Sequence, residues 1–162
     1  YHFKGSLGHP VFTQDAIDDL YFFAIERGDF VIRKVSEDAD GKPYSQVVSR
    51  RQHALQYIQH PPQSPQRGTE QKVSSGDRNP KNVVYQSGNI WFSQAVNCKG
   101  RSAVQWHQIN AGTGNIIQTG LISSDSAASA TDNAGIAVGP AGPPGGGVHT
   151  SGAGAGRVRR LP

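Results

Sequence analysis

Residues 82–122 read NVVYQSGNIWFSQAVNCKGRSAVQWHQINAGTGNIIQTGLI, and this stretch decides the fold. Runs rich in β-branched and aromatic residues predict four strands, at 82–86, 89–96, 103–110 and 115–122. Ser87-Gly88, the residues 97–100 and the residues 111–114 separate the runs as short turns. None of these turns is long enough for the crossover that a parallel pair needs. The stretch therefore predicts a four-stranded antiparallel meander, with Cys98 in a turn.

The residues before this stretch repeat the pattern more weakly. Strands are predicted at 10–14, 19–26, 29–35 and 44–48, with Arg27-Gly28 as a tight hairpin turn. At an offset of 70, Asp19-Leu20-Tyr21-Phe22 falls on Asn89-Ile90-Trp91-Phe92. Two four-stranded meanders in tandem are typical of β-propeller blades. We therefore expect an all-β chain with two meanders that resemble propeller blades and form part of a propeller.

Composition divides the chain into four parts. The first meander occupies 1–48, a polar Gln/Pro-rich connector 49–82, the second meander 83–122 and a low-complexity tail 123–162. Pro61, Pro62 and Pro65 cannot donate to a central strand ladder, so the connector is predicted to be extended. The tail is rich in Gly, Ala and Pro and holds too little apolar surface to offset chain entropy. The sequence therefore predicts that the tail is disordered.

Overall composition excludes several classes of protein. No run of 18 apolar residues is present, which excludes insertion as a membrane-spanning helix. A single Cys excludes an internal disulfide and a four-cysteine zinc site. The net charge is +4, and the basic residues are dispersed rather than clustered on one face, so we expect no nucleic-acid partner. The chain has no Met and begins with Tyr1, from which we expect a processed chain or a fragment.

Three segments of the chain resemble a known type of protein. Residues 78–91 begin Arg78-Asn79 and end Ile90-Trp91, and the segments 100–109 and 113–122 follow them. Together they resemble a recurrent segment of large bacterial exported proteins with sialidase-like propeller blades. The resemblance covers residues 61–125 well and 10–48 more loosely. It implies a propeller fold and an extracellular or cell-surface location, and it implies no established reaction.

The search for chemistry yields a candidate ligand site and no catalytic or metal residues. Trp91 and Trp106, with Tyr85 and Phe92, could form a sugar-stacking platform or simply pack between sheets. Arg78 and Arg101 could hold a ligand carboxylate, and for Arg78 a hydrogen bond at the rim or between blades is the alternative. The residues Asp38-Ala39-Asp40-Gly41 resemble the start of a calcium loop but lack its bidentate Glu, which favours a polar hairpin turn.

These features favour a non-catalytic structural or recognition module that binds glycan or protein, without a cofactor, within an exported propeller-like protein. The remainder of the propeller would then be its partner, because two blades alone leave sheet faces uncovered. The alternative is a fragment of a sialidase-type glycoside hydrolase that lacks the catalytic residues. The candidates for that chemistry are Glu26, Arg27, Arg33, Glu70, Arg78, Tyr85 and Arg101.

Overall fold

A computed structural model of the chain describes residues 8–13, 15–27, 29–52, 59–66, 68–76, 78–80, 82–123, 132–137, 147–151 and 159–160. These residues form strands and turns, without a helix among them, so the predicted all-β class is confirmed. The strands in chain order are β1 His9–Pro10, β2 Phe12–Thr13, β3 Leu20–Glu26, β4 Asp29–Glu37, β5 Pro43–Gln52, β6 Ser64–Gln66, β7 Thr69–Val73, β8 Val83–Gln86, β9 Asn89–Cys98, β10 Arg101–Asn110, β11 Ile116–Ile122, β12 Asp132–Ala137, β13 Gly147–Ser151 and β14 Arg159–Arg160.

Both predicted meanders are present as separate open sheets. The first sheet has the order β1-β3-β4-β5, and the second has the order β11-β10-β9-β8-β2. Within β8–β11 every neighbouring pair is antiparallel, as the sequence predicts. Because the turn between β9 and β10 is only Lys99-Gly100, Cys98 lies in β9 and is buried, and its predicted place in a turn is wrong.

Two-residue turns close the β8–β9 and β9–β10 hairpins of the second sheet. Arg27, Ser87 and Lys99 each have a positive φ, near +50°, and each is followed by a glycine. Gly88 and Gly100 have φ of +77°. Two successive positive φ values define the type I′ turn, whose twist matches that of the strands it joins. The x-Gly pairs therefore fix the register of these hairpins.

The predicted first strand, 10–14, divides between the two sheets. β1 pairs with β3 in the first sheet, and β2 pairs in parallel with β8 in the second. Between them, the Val11 N–H donates to the carbonyl of Tyr21 at 2.9 Å. The expectation of purely antiparallel pairing is wrong at this point, because a strand that arrives from another sheet needs no local crossover.

The two sheets pack face to face around a phenylalanine cluster. Phe23, Phe30 and Phe92 are each at most 1% exposed. Phe92 lies 4.5 Å from Phe23 and 5.1 Å from Phe30 between ring centroids. We call the face of the second sheet that carries Phe92 its inner face, and the opposite face, which carries Trp91, its outer face. One hydrophobic core therefore joins the two meanders.

The two sheets stack with equivalent faces pointing in the same direction, whereas a two-fold axis would turn equivalent faces towards each other. Phe23 lies four residues before the turn residue Arg27, whereas Phe92 lies seven residues before the corresponding Lys99. Four is even and seven is odd, and such positions point to opposite faces of a strand. Counted from its turn, each hairpin therefore turns a different face to the shared core. Equivalent faces of the two hairpins therefore point in the same direction. The turns align at an offset of 72, since 99 − 27 = 72, so the four-residue match at 70 is not the structural register.

The connector and the tail contain strands that the sequence analysis does not predict. β5 runs past the predicted boundary at residue 48, and β6 and β7 form a two-stranded sheet inside the predicted extended connector. In the predicted tail, β12, β13 and β14 form a three-stranded sheet, and β12 contacts β8, β9 and β10. The prediction of disorder over 124–131, 138–146, 152–158 and 161–162 lies outside the described residues.

Candidate functional site

Trp91 and Trp106 lie together on the outer face of the second sheet. Their ring centroids are 6.3 Å apart and their planes differ by 20°. They are 3% and 7% exposed, and with the buried Val104 they form a small core. A sugar would therefore reach these rings only after the groups that cover them had moved away.

A glycine makes room for the second indole. Gly120 of β11 lies opposite Trp106 of β10. A Cβ built on Gly120 would overlap Nε1 and Cε2 of that indole, and it would lie 2.8 Å from Cζ2. The absence of a side chain at residue 120 thus allows Trp106 to lie against the neighbouring strand.

Arg101, one of the two predicted arginines, does not join the tryptophans. Arg101 opposes Cys98 at the start of β10, which places it on the inner face. Arg78 lies half-buried just before β8. The structure therefore brings Trp91 and Trp106 together, and it places Arg101 on the other side of the sheet. The four-residue ligand site stays a prediction.

Other candidate residues of the sequence analysis have structural partners. The carboxylate of Asp38 accepts hydrogen bonds from the backbone N–H groups of Asp40 and Lys42, at 3.0 and 2.8 Å, and so closes its own loop. Glu26 forms an ion pair with Arg33 at 2.5 Å. No group of three or more His, Cys, Asp or Glu side chains that could hold a metal ion occurs in the described part of the chain.

A different cluster of polar and aromatic side chains lies where the two sheets meet. Pairing of Tyr21 with Lys34, and of Ser36 with Tyr44, places these four residues on the face of the first sheet that also carries Phe23. Tyr85 of the second sheet stacks on Tyr21, with ring centroids 5.0 Å apart and planes 15° apart. We call this cluster the tyrosine surface; its members are Asp19, Tyr21, Lys34, Ser36, Tyr44 and Tyr85.

The chain segment 9–15 holds the two halves of the tyrosine surface in place. Thr13 of β2 pairs with Tyr85, while the Val11 N–H bonds to the carbonyl of Tyr21. Two residues further on, the carboxylate of Asp15 accepts the N–H of Ser87 at 2.6 Å, in the turn that follows Tyr85. This segment therefore bonds to both sheets beside the stacked rings.

A hydrogen-bonded carboxylate lies at the centre of the tyrosine surface. One oxygen of Asp19 accepts from the Ser36 hydroxyl at 2.6 Å, and the other accepts from the Lys34 ammonium at 3.0 Å. These bonds, that of Ser36 first, hold the pKa of Asp19 below its usual 3.8 and raise the pKa of Lys34. Burial raises the pKa of Tyr21. Near neutral pH the Asp19–Lys34 pair is therefore ionised and carries no net charge.

The tyrosine surface offers an aromatic ring beside a fixed set of donors and acceptors. Tyr44 is 43% exposed, whereas the predicted Trp91 and Trp106 are buried. Asp19 and Lys34 retain side-chain exposures of 32% and 26%, so that their remaining hydrogen-bonding capacity is open to solvent. Such a surface can stack against an apolar ring face and bond to hydroxyl groups at its edge.

Sequence reasoning did not select this surface, although its signal is present in the alternation along three strands. Asp19 and Tyr21, Lys34 and Ser36, and Tyr44 and Gln46 each alternate in step. Their common face depends on the pairing of β4 with β5, which the loop between these strands sets. The alternation is therefore readable from sequence, but the partnership of the three strands requires the register.

Comparison with protein-family models, with curated proteins and with solved structures finds no match to this chain. Among the described residues, no helix has the length and apolar character needed to cross a lipid bilayer.

Proposed function

We propose that this chain is a non-catalytic recognition module that binds neutral glycan at the tyrosine surface. The observation that carries the proposal is the half-exposed ring of Tyr44 on the same face as the hydrogen-bonded pair of Asp19 and Lys34. Pyranose rings present C–H groups on their faces and hydroxyl groups around their edges. An aromatic ring beside a carboxylate and an ammonium group complements both features.

The charge of the surface favours a neutral ligand. The Lys34 ammonium and the Asp19 carboxylate are 3.0 Å apart and offset each other. A ligand carboxylate would have to compete with Asp19 for this ammonium group, whereas a hydroxyl can donate to Asp19 and accept from Lys34 without separating them. Neutral oligosaccharides are therefore expected to bind better than their acidic counterparts.

The proposal extends to the setting of the module, an exported propeller-like protein whose other blades complete the fold. The resemblance of residues 61–125 to blades of exported bacterial proteins supports this setting. The stacking of the two meanders in the same sense also supports it, because successive blades of a propeller present equivalent faces in one direction. An extracellular or cell-surface location follows from the same resemblance.

The test is a binding experiment on the full chain with neutral and acidic oligosaccharides. Isothermal titration calorimetry measures affinity, and the ring resonances of Tyr44 report contact by NMR. We expect Tyr44→Ala and Asp19→Asn each to abolish detectable binding. Phe12→Ala is the matched control, because Phe12 is 60% exposed and pairs with Val84, on the opposite side of the second sheet from Tyr85.

Two outcomes would contradict the proposal. One is the failure of the wild-type chain to bind any oligosaccharide of the panel at millimolar concentration. The other is binding that Tyr44→Ala leaves unchanged, which would place the ligand elsewhere. This second outcome includes loss of binding in Phe12→Ala together with unchanged binding in Tyr44→Ala.

A further inference from the structure

The outer strand of the second sheet differs from every other edge strand of the described residues. β11 lies at the end of the sheet, with β10 as its one hydrogen-bonded neighbour in the described part of the chain. Its seven residues, Ile116–Ile122, contain neither a charged residue nor a proline. Long neutral edges of this kind present unpaired N–H and C=O groups to another strand.

The other edge strands carry features that block such pairing, and β5 at the edge of the first sheet is the longest of them. β5 begins with Pro43 and contains Arg50 and Arg51. β1 and β2 have only two residues each, and β7 contains Glu70 and Lys72. Charge, proline and short length are the usual protections of edge strands. β11 has none of these three protections.

The sequence of β11 is self-complementary when it is paired antiparallel about Thr119. In that register Ile117 faces Leu121, Gln118 faces Gly120, and Thr119 faces its own copy. Ile117 of each chain therefore meets the aliphatic side chain of Leu121 of the other chain, and no charged group is buried. Aliphatic pairs on neighbouring antiparallel strands stabilise the pairing.

The exposure of the side chains agrees with this pairing. Ile117 is 53% exposed, and it is a large aliphatic residue that a second strand would cover. The register of β10 with β11 shifts between Gln108 and Ile109, which places the irregularity at Ile117 and leaves the pairing of Gln118–Ile122 regular. In a ladder over 117–121, each end therefore holds Ile117 of one chain, its irregular residue, opposite Leu121 of the other.

We propose that two copies of this chain associate through β11, antiparallel about Thr119, so that their five-stranded sheets join into one. The partner is a second copy because the strand complements itself and because neither strand brings charge to the contact. The association does not depend on the glycan proposal, since β11 contributes no residue to the tyrosine surface.

The experiment measures the association of the full chain by sedimentation equilibrium from about 5 to 500 µM. The test variant is Ile117→Lys, and the matched control is Val47→Lys. Val47 is 51% exposed on the edge strand β5, so the two substitutions place the same charge at equally exposed aliphatic positions of two edges. In the Ile117→Lys dimer each copy would bring one ammonium group into the paired strands. We therefore expect a dimer that is at least about tenfold weaker. The control should dimerise as wild type does.

A second measurement does not depend on any variant. Amide hydrogen exchange of the wild-type chain should slow with rising concentration at 117–121 and remain unchanged in β5. A chain that stays monomeric over the whole range would overturn the proposal. A dimer that Val47→Lys weakens and Ile117→Lys does not, or a dimer that neither variant weakens, would overturn it too. The same holds if protection from exchange rises only in residues outside β11.

Discussion

The two central hairpins, β3–β4 and β9–β10, share strand order and an x-Gly sequence at the turn, yet they are buried differently. In β9 and β10 nearly every residue is buried, on both faces of the second sheet. In β4 burial is confined to Phe30, Val31 and Ile32, and the remaining residues are half-buried or exposed. The β9–β10 hairpin therefore lies inside the molecule, whereas the β3–β4 hairpin is covered over only part of its length.

The difference shows in the composition of each hairpin. Strands covered on both faces lose the simple alternation of apolar and polar residues. β9 and β10 accordingly mix large rings with small residues such as Ser93 and Ala95, and they bury Gln94, Gln105 and His107 on the inner face. Among the described residues, neither amide atom of Gln94 has a hydrogen-bond partner, which costs stability. In the first sheet, Asp19, Lys34 and Tyr44 stay partly open to solvent and form part of the tyrosine surface.

Truncation of one phenylalanine in each sheet tests this contrast with the largest expected effect. Phe92 is fully buried among Phe23, Phe30 and His107, so Phe92→Ala should lower the free energy of unfolding by about 3–5 kcal/mol. Phe22 is only half-buried in β3, and Phe22→Ala should cost about 1 kcal/mol. Urea unfolding followed by circular dichroism measures both. Equal losses would show that the first sheet is as well covered as the second.

Addition of one methyl group tests the packing of the outer face. A side chain at residue 120 must displace the indole of Trp106, so Gly120→Ala should destabilise the chain by about 1–3 kcal/mol. Gly112→Ala is the control: a Cβ at Gly112 would meet only the Asn110 side chain, at 3.6 Å, and its effect should stay within about 0.5 kcal/mol. Thermal unfolding compares the two variants. A neutral Gly120→Ala would mean that Trp106 can move away at little cost, as ligand access to the tryptophans requires.

The sequence predicts the second sheet better than the first, for physical reasons. Its x-Gly turns and dense β-forming runs are local signals, and they place β8, β9, β10 and β11 within two residues of the predicted bounds. The transfer of β2 to another sheet depends on two residues that pair with Val84 and Tyr85, more than 70 positions away. Local sequence carries no trace of such a pairing.

The candidate sites show the same limit. Aromatic residues in strands suggest either packing or ligand stacking, and only burial separates the two possibilities. Trp91 is 3% exposed and Tyr44 is 43% exposed, although both lie in strands rich in β-forming residues. The difference arises from what covers each strand, which is a tertiary property. The sequence therefore pointed to Trp91 and Trp106, which are buried, and did not single out Tyr44, which is exposed.

Acidification tests the buried polar residues of the second sheet. Burial lowers the pKa of His107 from 6.5 to about 3. Its Nδ1 lies 3.0 Å from the Thr119 hydroxyl, which itself donates to the Trp106 carbonyl, so the network assigns the proton to Nδ1. Below pH 6.5 the imidazole of His107 becomes protonated in the unfolded chain, whereas in the folded chain it stays neutral until about pH 3. The free energy of unfolding should therefore decrease as the pH decreases from 6.5 to about 3, by up to about 1.4 kcal/mol per pH unit.

The matched variant for this test is His107→Gln, which removes the titrating group from the same position. The difference in unfolding free energy between wild type and His107→Gln should shrink as the pH falls from 6.5 towards 3, because only the wild type loses this stability. Urea unfolding at four or five pH values measures the difference. A constant difference over this range would show that the imidazole can be protonated in the folded chain without penalty.

The smallest effect is expected at the tyrosine surface, where the polar groups are close to solvent. Hydrogen bonds from Ser36 and Lys34 hold the pKa of Asp19 below 3.8 in the folded chain. The stability that Asp19 contributes is therefore present above about pH 3.8 and is lost as the pH falls through the lower folded value. Solvent screening keeps this contribution small. Asp19→Asn should lower the melting temperature slightly at neutral pH and have less effect in acid.

Ser36→Ala separates the two causes of this shift. It removes the hydrogen bond that contributes most, so the pKa of Asp19 should rise towards 3.8 while the pair with Lys34 remains. Carboxyl carbon resonances followed by NMR through an acid titration report the pKa directly. An unchanged pKa in Ser36→Ala would mean that Lys34 alone sets it. The Asp19 carboxylate would then be a simple surface ion pair, and the fixed set of donors that distinguishes the first sheet from the second would lose its central residue.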